Sequence, residues 1–375
     1  MINGNNFNKD QLKLRILVTP LDWGLGHATR CIPIINELIK LNCEVFIAAD
    51  KETFCLLKKE FPTIVFLRLK GYEIKYSLNK RGFSFKMLLQ FPKIFYAIRN
   101  ENKWLKKIVK ENNIDAVISD NRFGMHCKNV PCIYITHQLF IKTGKAFSEK
   151  IAQKIHNYFI RKYTSCWIPD FKENGLAGKL SHPEKIPSNV IYIGPLSRFD
   201  KLPDVEKIYD LLISISGPEP QRTIFENIIL SQLKNYSGKA LVIRGLPDEK
   251  GTLNPPNESI KIINHLPSHE LNKAFEQTEM VISRSGYTTI MDLIKLKKSA
   301  ILVPTAGQTE QEYLAKYLSE KKYFYSVEQQ NFSLNTALNN VDDFPFIYLN
   351  RPSEEYKKTI NEFVLSLKTG NFAPQ

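Results

Sequence analysis

No apolar run of this 375-residue sequence is long enough to form a membrane-spanning helix. The polar first residues, MINGNNFNKDQ, lack the apolar segment of a secretory signal. Hydrophobic residues make up 43% and charged residues 24%, a balance that excludes a largely disordered chain. Because the length suits two domains better than one core, we expect a globular, two-domain protein of the cytoplasm.

Cysteine is too sparse for a disulfide framework. All six cysteines lie in the first half of the chain, and several fall in apolar, strand-like runs, which is typical of reduced cytosolic thiols. Cys127 and Cys132 lie between His126 and His137, but this spacing matches no standard zinc finger. We therefore predict buried free cysteines and no metal site.

Two well-known glycine loops are also missing. No Gly-x4-Gly-Lys-Ser/Thr string occurs, which excludes a P-loop. The stretch TPLDWGLGHATR begins a dinucleotide fingerprint at Gly24 and Gly26, but Thr29 stands where the fingerprint has its third glycine. That glycine normally permits close packing of the helix on the strand, so its absence counts against a dinucleotide site. Asp50, after the second predicted strand, could still act as the ribose-binding acid of a dinucleotide site. An NAD-dependent oxidoreductase therefore stays an alternative. His27, which neither loop requires, becomes a candidate site residue.

Acidic residues are scarce in one basic stretch. The net charge is +14, and between Lys70 and Lys110 eleven Lys or Arg accompany only Glu73 and Glu101. Large apolar residues are interspersed among these cations, a mixture that suits an anionic membrane surface. Nucleic acid is the competing partner, although we expect none. A packed helix with a solvated basic face is the other alternative.

Short apolar, β-branched runs alternate with amphipathic stretches along most of the chain. This alternation predicts α/β architecture with parallel sheets covered by helices on both faces. It stops in YIGPLSRFDKLPDVEK (192–207), which we interpret as a linker, and then restarts. The predicted strands are 14–18, 45–48, 64–69, 116–119, 133–136, 166–168 and 190–193 before the linker, and 211–215, 240–243, 260–263, 280–283, 300–303 and 323–327 after it.

The restart predicts two doubly wound, Rossmann-like domains that face each other across a cleft. We assign residues 1–197 to an acceptor-side domain, 198–352 to a donor-binding domain, and 353–375 to a C-terminal helix that packs back on the first domain. Ligands of such sheets bind outside the carboxyl ends of the strands, so the loops after the strands should carry the chemistry.

The most informative loops lie in VISRSGYTTIMDLIKLKKSAILVPTAGQTEQEYLAKYL (281–318). The helix after Gly286 offers its N-terminus to a diphosphate. Asp292 lies on the Thr288 and Thr289 side of that helix, where a carboxylate can accept hydrogen bonds from ribose hydroxyls. Glu310 and Gln311 suit sugar hydroxyls, although helix N-terminal capping is their alternative role.

A second loop, SISGPEPQR, ends another predicted strand. Its small residues Ser216 and Gly217 would let a phosphate approach backbone amides. Pro218 and Pro220 remove two possible donors, which weakens this interpretation.

Taken together, SRSGYTTIMDL…AILVPTAGQTEQEYLA resembles the C-terminal donor-binding signature of glycosyltransferase family 28, and GLGHATR is similar to the N-terminal glycine loop of that family. The resemblance spans both halves in the right order. It implies a GT-B fold and sugar transfer, with inversion, from a nucleotide-activated donor that is usually UDP-linked.

The resemblance also implies roles for individual positions. Asp292 takes the place of a ribose-binding Glu, and Glu312 replaces a second Gln. After His137 the family's Glu-Gln-Asn run is missing, so we expect a divergent branch with a different acceptor. The resemblance and the loops described above together give these donor positions: Arg198, Ser216, Gly217, Ile263 (through its backbone), Arg284, Ser285, Gly286, Thr288, Thr289, Asp292, Glu310 and Gln311. The acceptor-side positions are Gly24, Gly26, His27 and His137.

For the reaction we predict direct displacement at the anomeric carbon, assisted by a base. His27 is the first candidate because the usual pKa of histidine lies near neutrality, and Asp120, in VISDNRFG, is the second. A loop-stabilising His and a capping Asp are their structural alternatives. No metal motif or cofactor is expected, so helix N-termini with Arg198 or Arg284 would stabilise the diphosphate. An interdomain salt bridge is the alternative for Arg284.

The sequence thus predicts an inverting glycosyltransferase that moves a sugar from a UDP-linked donor to a hydroxyl, with a lipid-linked or envelope glycan as the expected acceptor. The basic stretch adds an expected peripheral position on the inner face of the cytoplasmic membrane. A UDP-sugar epimerase or hydrolase of the same fold and an NAD-dependent oxidoreductase are the alternatives.

Overall fold

A computed structural model describes residues 13–71, 83–142, 146–351 and 354–370. Within the basic stretch, positions 72–82 and the side chains of 83–92 lie outside the described part. The described chain forms two parallel sheets of seven and six strands. All thirteen predicted strands are present, and no boundary differs from its prediction by more than two residues.

The first sheet has the order β3-β2-β1-β4-β5-β6-β7. Every residue of β1 from Ile16 to Pro20 is buried, because helices cover both faces of the sheet. We call the part of the chain that builds this sheet the N-terminal half. Its strands are β1 (Arg15–Pro20), β2 (Glu44–Ala49), β3 (Val65–Arg68), β4 (Ala116–Asp120), β5 (Cys132–Ile135), β6 (Ser165–Ile168) and β7 (Val190–Tyr192), and its helices are α1 (Leu25–Lys40), α2 (Lys51–Glu60), α3 (Phe83–Glu111) and α4 (Ala146–Ile160).

The second sheet has the order β10-β9-β8-β11-β12-β13 and builds the C-terminal half. No helix or strand interrupts the chain between β7 and β8, as the linker prediction required. Its strands are β8 (Tyr209–Ser214), β9 (Ala240–Ile243), β10 (Ile260–Ile263), β11 (Thr278–Ser283), β12 (Ser299–Leu302) and β13 (Tyr325–Ser326), and its helices are α5 (Gln221–Leu233), α6 (Ser268–Glu276), α7 (Tyr287–Leu296), α8 (Thr309–Glu320) and α9 (Leu334–Asp342).

One apolar core joins the two halves. Ile34 of α1, Leu293 of α7 and Ile360 of the last helix, α10 (Glu355–Thr369), belong to the same buried cluster. In α10, Phe363 packs edge-on against Trp167 of β6, with ring centroids 5.5 Å apart. The outer face of each sheet has its own core. The residue boundaries that we predicted for the domains stay a prediction.

The strand order reverses direction between β1 and β4 in the first sheet and between β8 and β11 in the second. At such a switch point the loops diverge and leave a crevice at the carboxyl ends of the strands. Pro20 is paired with Asp120 at the first switch point, and Ser214 with Ser283 at the second. These two positions determine where the candidate site lies.

Candidate functional site

His27 and Asp120 meet at the first switch point. His27 lies in the first turn of α1, and Asp120 is the last residue of β4. The Nδ1 atom of His27 is 2.7 Å from Oδ1 of Asp120. Asp120 is completely buried, whereas 16% of the His27 side chain is exposed. A buried carboxylate therefore orients a histidine that a substrate can reach.

Arg30 lies one turn after His27 on the same helix and joins this pair. Its guanidinium donates through Nε and Nη2 to the two carboxylate oxygens of Asp120. Its Nη2 atom is also 2.9 Å from Nδ1 of His27, and Nη1 is 3.1 Å from Nδ1 of His137. Since Arg30 is 2% exposed, its charge is held inside the protein at the centre of this cluster.

The N-terminal cluster extends to the C-terminal half through His137 and Glu310. Nε2 of His137 is 2.7 Å from Oε1 of Glu310, in the first turn of α8, and the Gln138 side-chain amide donates to Oε2. The ring of His137 is stacked on Tyr287, with centroids 4.2 Å apart and planes within 5°. The loops that bear the predicted acceptor and donor residues are thus in direct contact.

The electrostatic environment favours neutral His27 and ionised Asp120. Burial lowers the pKa of His27, the charge of Arg30 lowers it further, and Asp120 opposes both effects. Burial alone would raise the pKa of Asp120, but Arg30 and His27 lower it to about 2. For Glu310, burial is likewise outweighed by His137 and Arg30, so its pKa is lowered. A neutral imidazole beside a fixed carboxylate can accept a proton near neutral pH.

Glycines permit the close approach of the two halves. Gly24 has φ +87°, which L side chains rarely adopt. A Cβ on Gly26 would lie 3.2 Å from Oγ1 of Thr288, whose hydroxyl donates to the Gly26 carbonyl at 3.0 Å. Gly26 therefore faces the first turn of α7, whereas Gly24 is required by its backbone conformation.

At the second switch point, Gly286 precedes α7 and leaves open space beside its backbone. Ser216 and Gly217 are exposed after β8, and Gly217 has φ +114°. A Cβ on Gly217 would lie 3.5 Å from the Thr305 hydroxyl. That hydroxyl is buried and has no hydrogen-bond partner among the described residues. Thr288 and Thr289 are half-buried in the first turn of α7.

Asp292 and Arg198 meet where the linker passes α7. Oδ1 of Asp292 accepts a hydrogen bond of 2.6 Å from the Ser197 hydroxyl, and Oδ2 lies 3.9 Å from Nε of Arg198. Burial raises the pKa of Asp292 to about 6, although Arg198 and Ser197 oppose the shift. Burial also lowers the pKa of Arg198. The predicted ribose carboxylate is thus near the predicted diphosphate arginine.

Several other predicted donor residues are engaged within the C-terminal half. Arg284 donates to the carbonyls of Val303, Pro304 and Gln221, and its guanidinium lies 4.2 Å from the Phe225 ring centroid. Burial lowers its pKa to about 10. These bonds go to backbone oxygens rather than to a carboxylate of the other half, so the salt-bridge alternative for Arg284 is wrong. The remaining residues also form hydrogen bonds within this half. The Ser285 hydroxyl donates to the Gln311 carbonyl, and the backbone N–H groups of Thr305, Gly307 and Arg244 donate to Gln311 Oε1, Glu312 Oε1 and the Ile263 carbonyl, respectively.

Sequence reasoning missed four residues of this region: Arg30, Gln138, Tyr287 and Thr305. Arg30 carried a signal, because a cation three positions after His27 shares its helical face. Tyr287 stands between two predicted donor residues, yet its contact with His137 depends on how the halves meet. Nothing in the local sequence marks the Thr305 hydroxyl as one without a partner.

In the described ranges, no group of three or more His, Cys, Asp or Glu side chains could hold a metal ion. All six cysteines are free, and Sγ atoms of Cys127 and Cys132 are 3.9 Å apart. None of the described helices is long and apolar enough to cross a membrane.

The comparisons with known proteins agree with this architecture. Solved structures of the glycosyltransferase SnogD from Streptomyces nogalater and of Acinetobacter baumannii MurG superpose with TM-scores of 0.61 and 0.52, each at 11% identity. They cover 95% and 96% of this chain and 100% and 95% of their own. The fold is therefore GT-B.

Sequence relatives are distant but nearly full-length. An uncharacterized glycosyltransferase of Methanosarcina acetivorans is 22% identical over 83% of this chain and 84% of its own length. The Bacillus cytotoxicus UDP-N-acetylglucosamine–N-acetylmuramyl-(pentapeptide) pyrophosphoryl-undecaprenol N-acetylglucosamine transferase is 23% identical over 88% and 90%.

The fold and these relatives define a glycosyltransferase of the GT-B, nucleotide-sugar-dependent class. More particularly, residues 232–364 match the glycosyltransferase family 28 C-terminal domain. This match confirms the resemblance to that family, and the glycosyltransferase class removes the oxidoreductase alternative.

Proposed function

We propose that this protein transfers a sugar from a UDP-linked donor to an acceptor hydroxyl, with inversion at the anomeric carbon. The observation that carries the proposal is the His27–Asp120 pair, which lies at the loop in contact with the first turn of α7. A proton acceptor of the N-terminal half thereby faces the expected donor site of the C-terminal half. The epimerase or hydrolase alternative would need no separate acceptor.

The donor site that we propose surrounds the second switch point. Its diphosphate lies at the N-terminus of α7 beside Gly286, where free backbone N–H groups and the helix dipole favour negative charge. The hydroxyls of Thr289 and Thr305 are available as further donors, whereas the Thr288 hydroxyl would first have to release the Gly26 carbonyl. Arg198 adds a positive charge beside the nucleotide, and Asp292 accepts from the ribose after releasing Ser197.

Two named proteins support the choice of a pyrimidine nucleotide. The Bacillus cytotoxicus relative is named for a UDP-sugar donor, and the glycosyltransferase VinC, whose structure superposes with a TM-score of 0.55, was solved in complex with DTDP. We propose UDP because the extended sequence similarity lies with the UDP-dependent relatives. Glu310 and Gln311 would contact the sugar hydroxyls.

In the proposed reaction, Nε2 of His27 accepts the proton of the acceptor hydroxyl. The acceptor oxygen forms a bond to the anomeric carbon while the bond from that carbon to the β-phosphate oxygen breaks. The electron pair of the broken bond remains on the departing UDP. Because attack and departure occur on opposite faces in one step, the anomeric configuration inverts. Asp120 stabilises the imidazolium that forms on His27.

The acceptor that we propose is carried by a lipid, because the N-terminal half exposes an apolar and basic surface. Phe95 and Tyr96 of α3 are 54% and 68% exposed, and Phe147 of α4 is 77% exposed. The two helices contact each other through Phe95 and Phe159, whose ring centroids are 6.1 Å apart. The same two helices also bear exposed cations: Lys93, Arg99, Lys103, Lys150 and Lys154.

A thermal-shift panel of nucleotides and nucleotide sugars tests the donor. A ligand at about one hundred times its dissociation constant stabilises the folded state by about 2.7 kcal/mol. We expect a shift with UDP and UDP-sugars that exceeds the shifts with dTDP, GDP and NAD. A shift with NAD alone would contradict the proposal. Consumption of the UDP-sugar at full rate without acceptor would instead indicate a hydrolase or epimerase.

Vesicle sedimentation tests the membrane surface. We expect binding to phosphatidylglycerol vesicles that weakens with added salt, little binding to phosphatidylcholine, and loss of binding in the double variant Phe95→Ser, Phe147→Ser. A double variant with exposed apolar residues of the C-terminal half, Ile224→Ser and Leu253→Ser, is the matched control. Absence of binding to anionic vesicles would refute the membrane surface without affecting the donor assignment.

A further inference from the structure

Among the described residues, Arg30 is the side chain that contacts Asp120, His27 and His137 together. Both Asp120 oxygens accept from it, and its two terminal nitrogens lie 2.9 Å and 3.1 Å from Nδ1 of His27 and of His137. A guanidinium has donors only, in a rigid planar fork. The states of its three neighbours are therefore constrained by its position.

We propose that Arg30 is a positioning residue of the transfer reaction: it holds Asp120 against His27 and fixes His137 as the donor to Glu310. One buried cation thus links the base to the loop that contacts the donor sugar. This inference rests on the proposed function, in which His27 is the base, but it concerns a residue to which that function assigns no role.

The arrangement around Asp120 determines the tautomer of His27. With its hydrogen on Nδ1, His27 donates to Asp120 across 2.7 Å and leaves Nε2 free to accept the substrate proton. Arg30 holds the carboxylate in place by binding both of its oxygens. Its Nη2 atom then lies against Nδ1 as an adjacent charge and not as a donor to it.

The geometry at His137 allows one arrangement. Because the ionised Glu310 can only accept, Nε2 of His137 carries the hydrogen between them, and Arg30, which can only donate, favours a His137 Nδ1 without a hydrogen. That hydrogen is donated to Oε1 of Glu310. Glu310 is thereby held toward the N-terminal half, with Gln138 on its other oxygen.

Arg30 also affects the charge of His27. The charged or titratable groups that surround His27 are Arg30 and Cys31 of α1, Asp120 of β4, His137 after β5 and Glu310 of α8. Arg30 opposes protonation of His27, whereas Asp120 favours it. Burial and His137 also lower the His27 pKa, but removing Arg30 takes away the largest opposing charge, so His27 should become easier to protonate.

The primary test is histidine-ring 15N NMR of the full chain, titrated with acid, in which His27→Ala assigns the His27 signals. In Arg30→Gln we expect the His27 pKa to rise by at least about one unit, since a positive charge 2.9 Å from Nδ1 disfavours protonation of the ring. The His137 signals should lose the Nε2-protonated pattern. Unchanged His27 and His137 titrations would overturn the proposal.

Kinetics supply the second readout, using the UDP-sugar that gives the largest thermal shift. Transfer requires neutral His27, so activity falls as the pH drops below its pKa. In Arg30→Gln the acid limb of the kcat/KM profile should move to higher pH by the NMR shift. Arg30→Lys keeps the charge, so its limb should stay in place while transfer falls about tenfold, because the fork is lost.

A control variant and the variants above distinguish loss of the Arg30 contacts from general destabilisation of the fold. Arg222→Gln removes a buried arginine that pairs with Glu219 and Glu226 in the C-terminal half, and it should destabilise the fold without moving the acid limb. If Arg30→Gln does not fold, Arg30→Lys provides the test. His137 NMR signals and a transfer rate that are both unchanged in Arg30→Lys would overturn the proposal. Full turnover by His27→Ala would refute the assignment of His27 as the base. If His27→Ala loses turnover but the acid limb of the kcat/KM profile does not move in Arg30→Gln, only the role of Arg30 is refuted.

Discussion

Nδ1 of His27 lies 2.7 Å from Oδ1 of Asp120, although 93 positions separate the two residues. Our sequence analysis named them as first and second candidates for one role. The structure brings them together as a pair, in which Asp120 is buried and His27 is accessible. The two residues therefore have different roles in the proposed reaction: His27 is the base, and Asp120 is the carboxylate that orients it.

His27→Ala should reduce transfer by about 10²-fold or more, because proton transfer from the acceptor loses its base. UDP affinity, measured by calorimetry, should persist, since the donor site lies in the C-terminal half. His269→Ala, at an exposed position of α6, is the control and should retain full activity. Near-normal turnover of His27→Ala would remove it from the mechanism.

Asp120→Asn should destabilise the protein by about 3–5 kcal/mol, because it leaves the buried Arg30 charge without its partner. Urea unfolding at pH 7 measures this change. Asp115→Asn, where the carboxylate accepts from the backbone N–H of Arg15 at an exposed site, should cost much less. Equal stability of the two variants would show that the Arg30–Asp120 contact does not persist in solution.

Asp292 should make stability depend on pH between about 4 and 6. Its pKa rises from 3.8 to about 6 on folding, so the folded state binds the proton more tightly. Its contribution is therefore greatest below pH 4, declines as the pH rises to 6 and is constant above, a change on the order of 3 kcal/mol. Urea unfolding across this range should lose that component in Asp292→Asn.

The same residue tests the nucleotide site. Asp292→Ala should weaken UDP binding in calorimetry, because a ribose loses its carboxylate acceptor. Ser197→Ala removes the residue that Asp292 binds in the free protein, and it should leave UDP affinity equal or higher. Unchanged UDP affinity in Asp292→Ala would refute the ribose assignment.

Thr305→Val should affect stability and donor binding in opposite directions. The buried Thr305 hydroxyl has no partner within the described residues, so replacing it with a methyl group should stabilise the fold by about 1 kcal/mol. UDP affinity should fall about five- to tenfold if the hydroxyl binds the donor diphosphate. Thr305→Ser keeps the hydroxyl and should retain affinity. Equal UDP binding by Thr305→Val would exclude the contact.

Much of the fold could be predicted because its signals are local. The central strands are short apolar runs whose residues are buried on both faces, as Ile16, Leu17 and Val18 of β1 illustrate. The positions of the site loops followed from the same alternation, because ligands of parallel sheets bind at the carboxyl ends of strands. Gly24, Gly26 and Gly286 were identified in this way.

The contacts between those loops could not be predicted from the sequence. Glu310 seemed to be a sugar ligand or a helix cap, yet in the free protein it binds His137, 173 positions away. Arg284 was assigned to the diphosphate or to an interdomain salt bridge, but it donates to backbone carbonyls. A side chain's partner depends on packing and direction, which a local pattern does not contain.

The sequence by itself determined the two parallel sheets, the linker between them and the loops that bear polar residues, since burial periodicity and turn chemistry act over a few residues. Only the tertiary structure decided that His27, Asp120, Arg30 and His137 form one cluster and that Glu310 completes it from the other half. The reason is physical: hydrogen bonds require approach within about 3 Å, and only the packing of the two halves on a shared core brings these atoms that close.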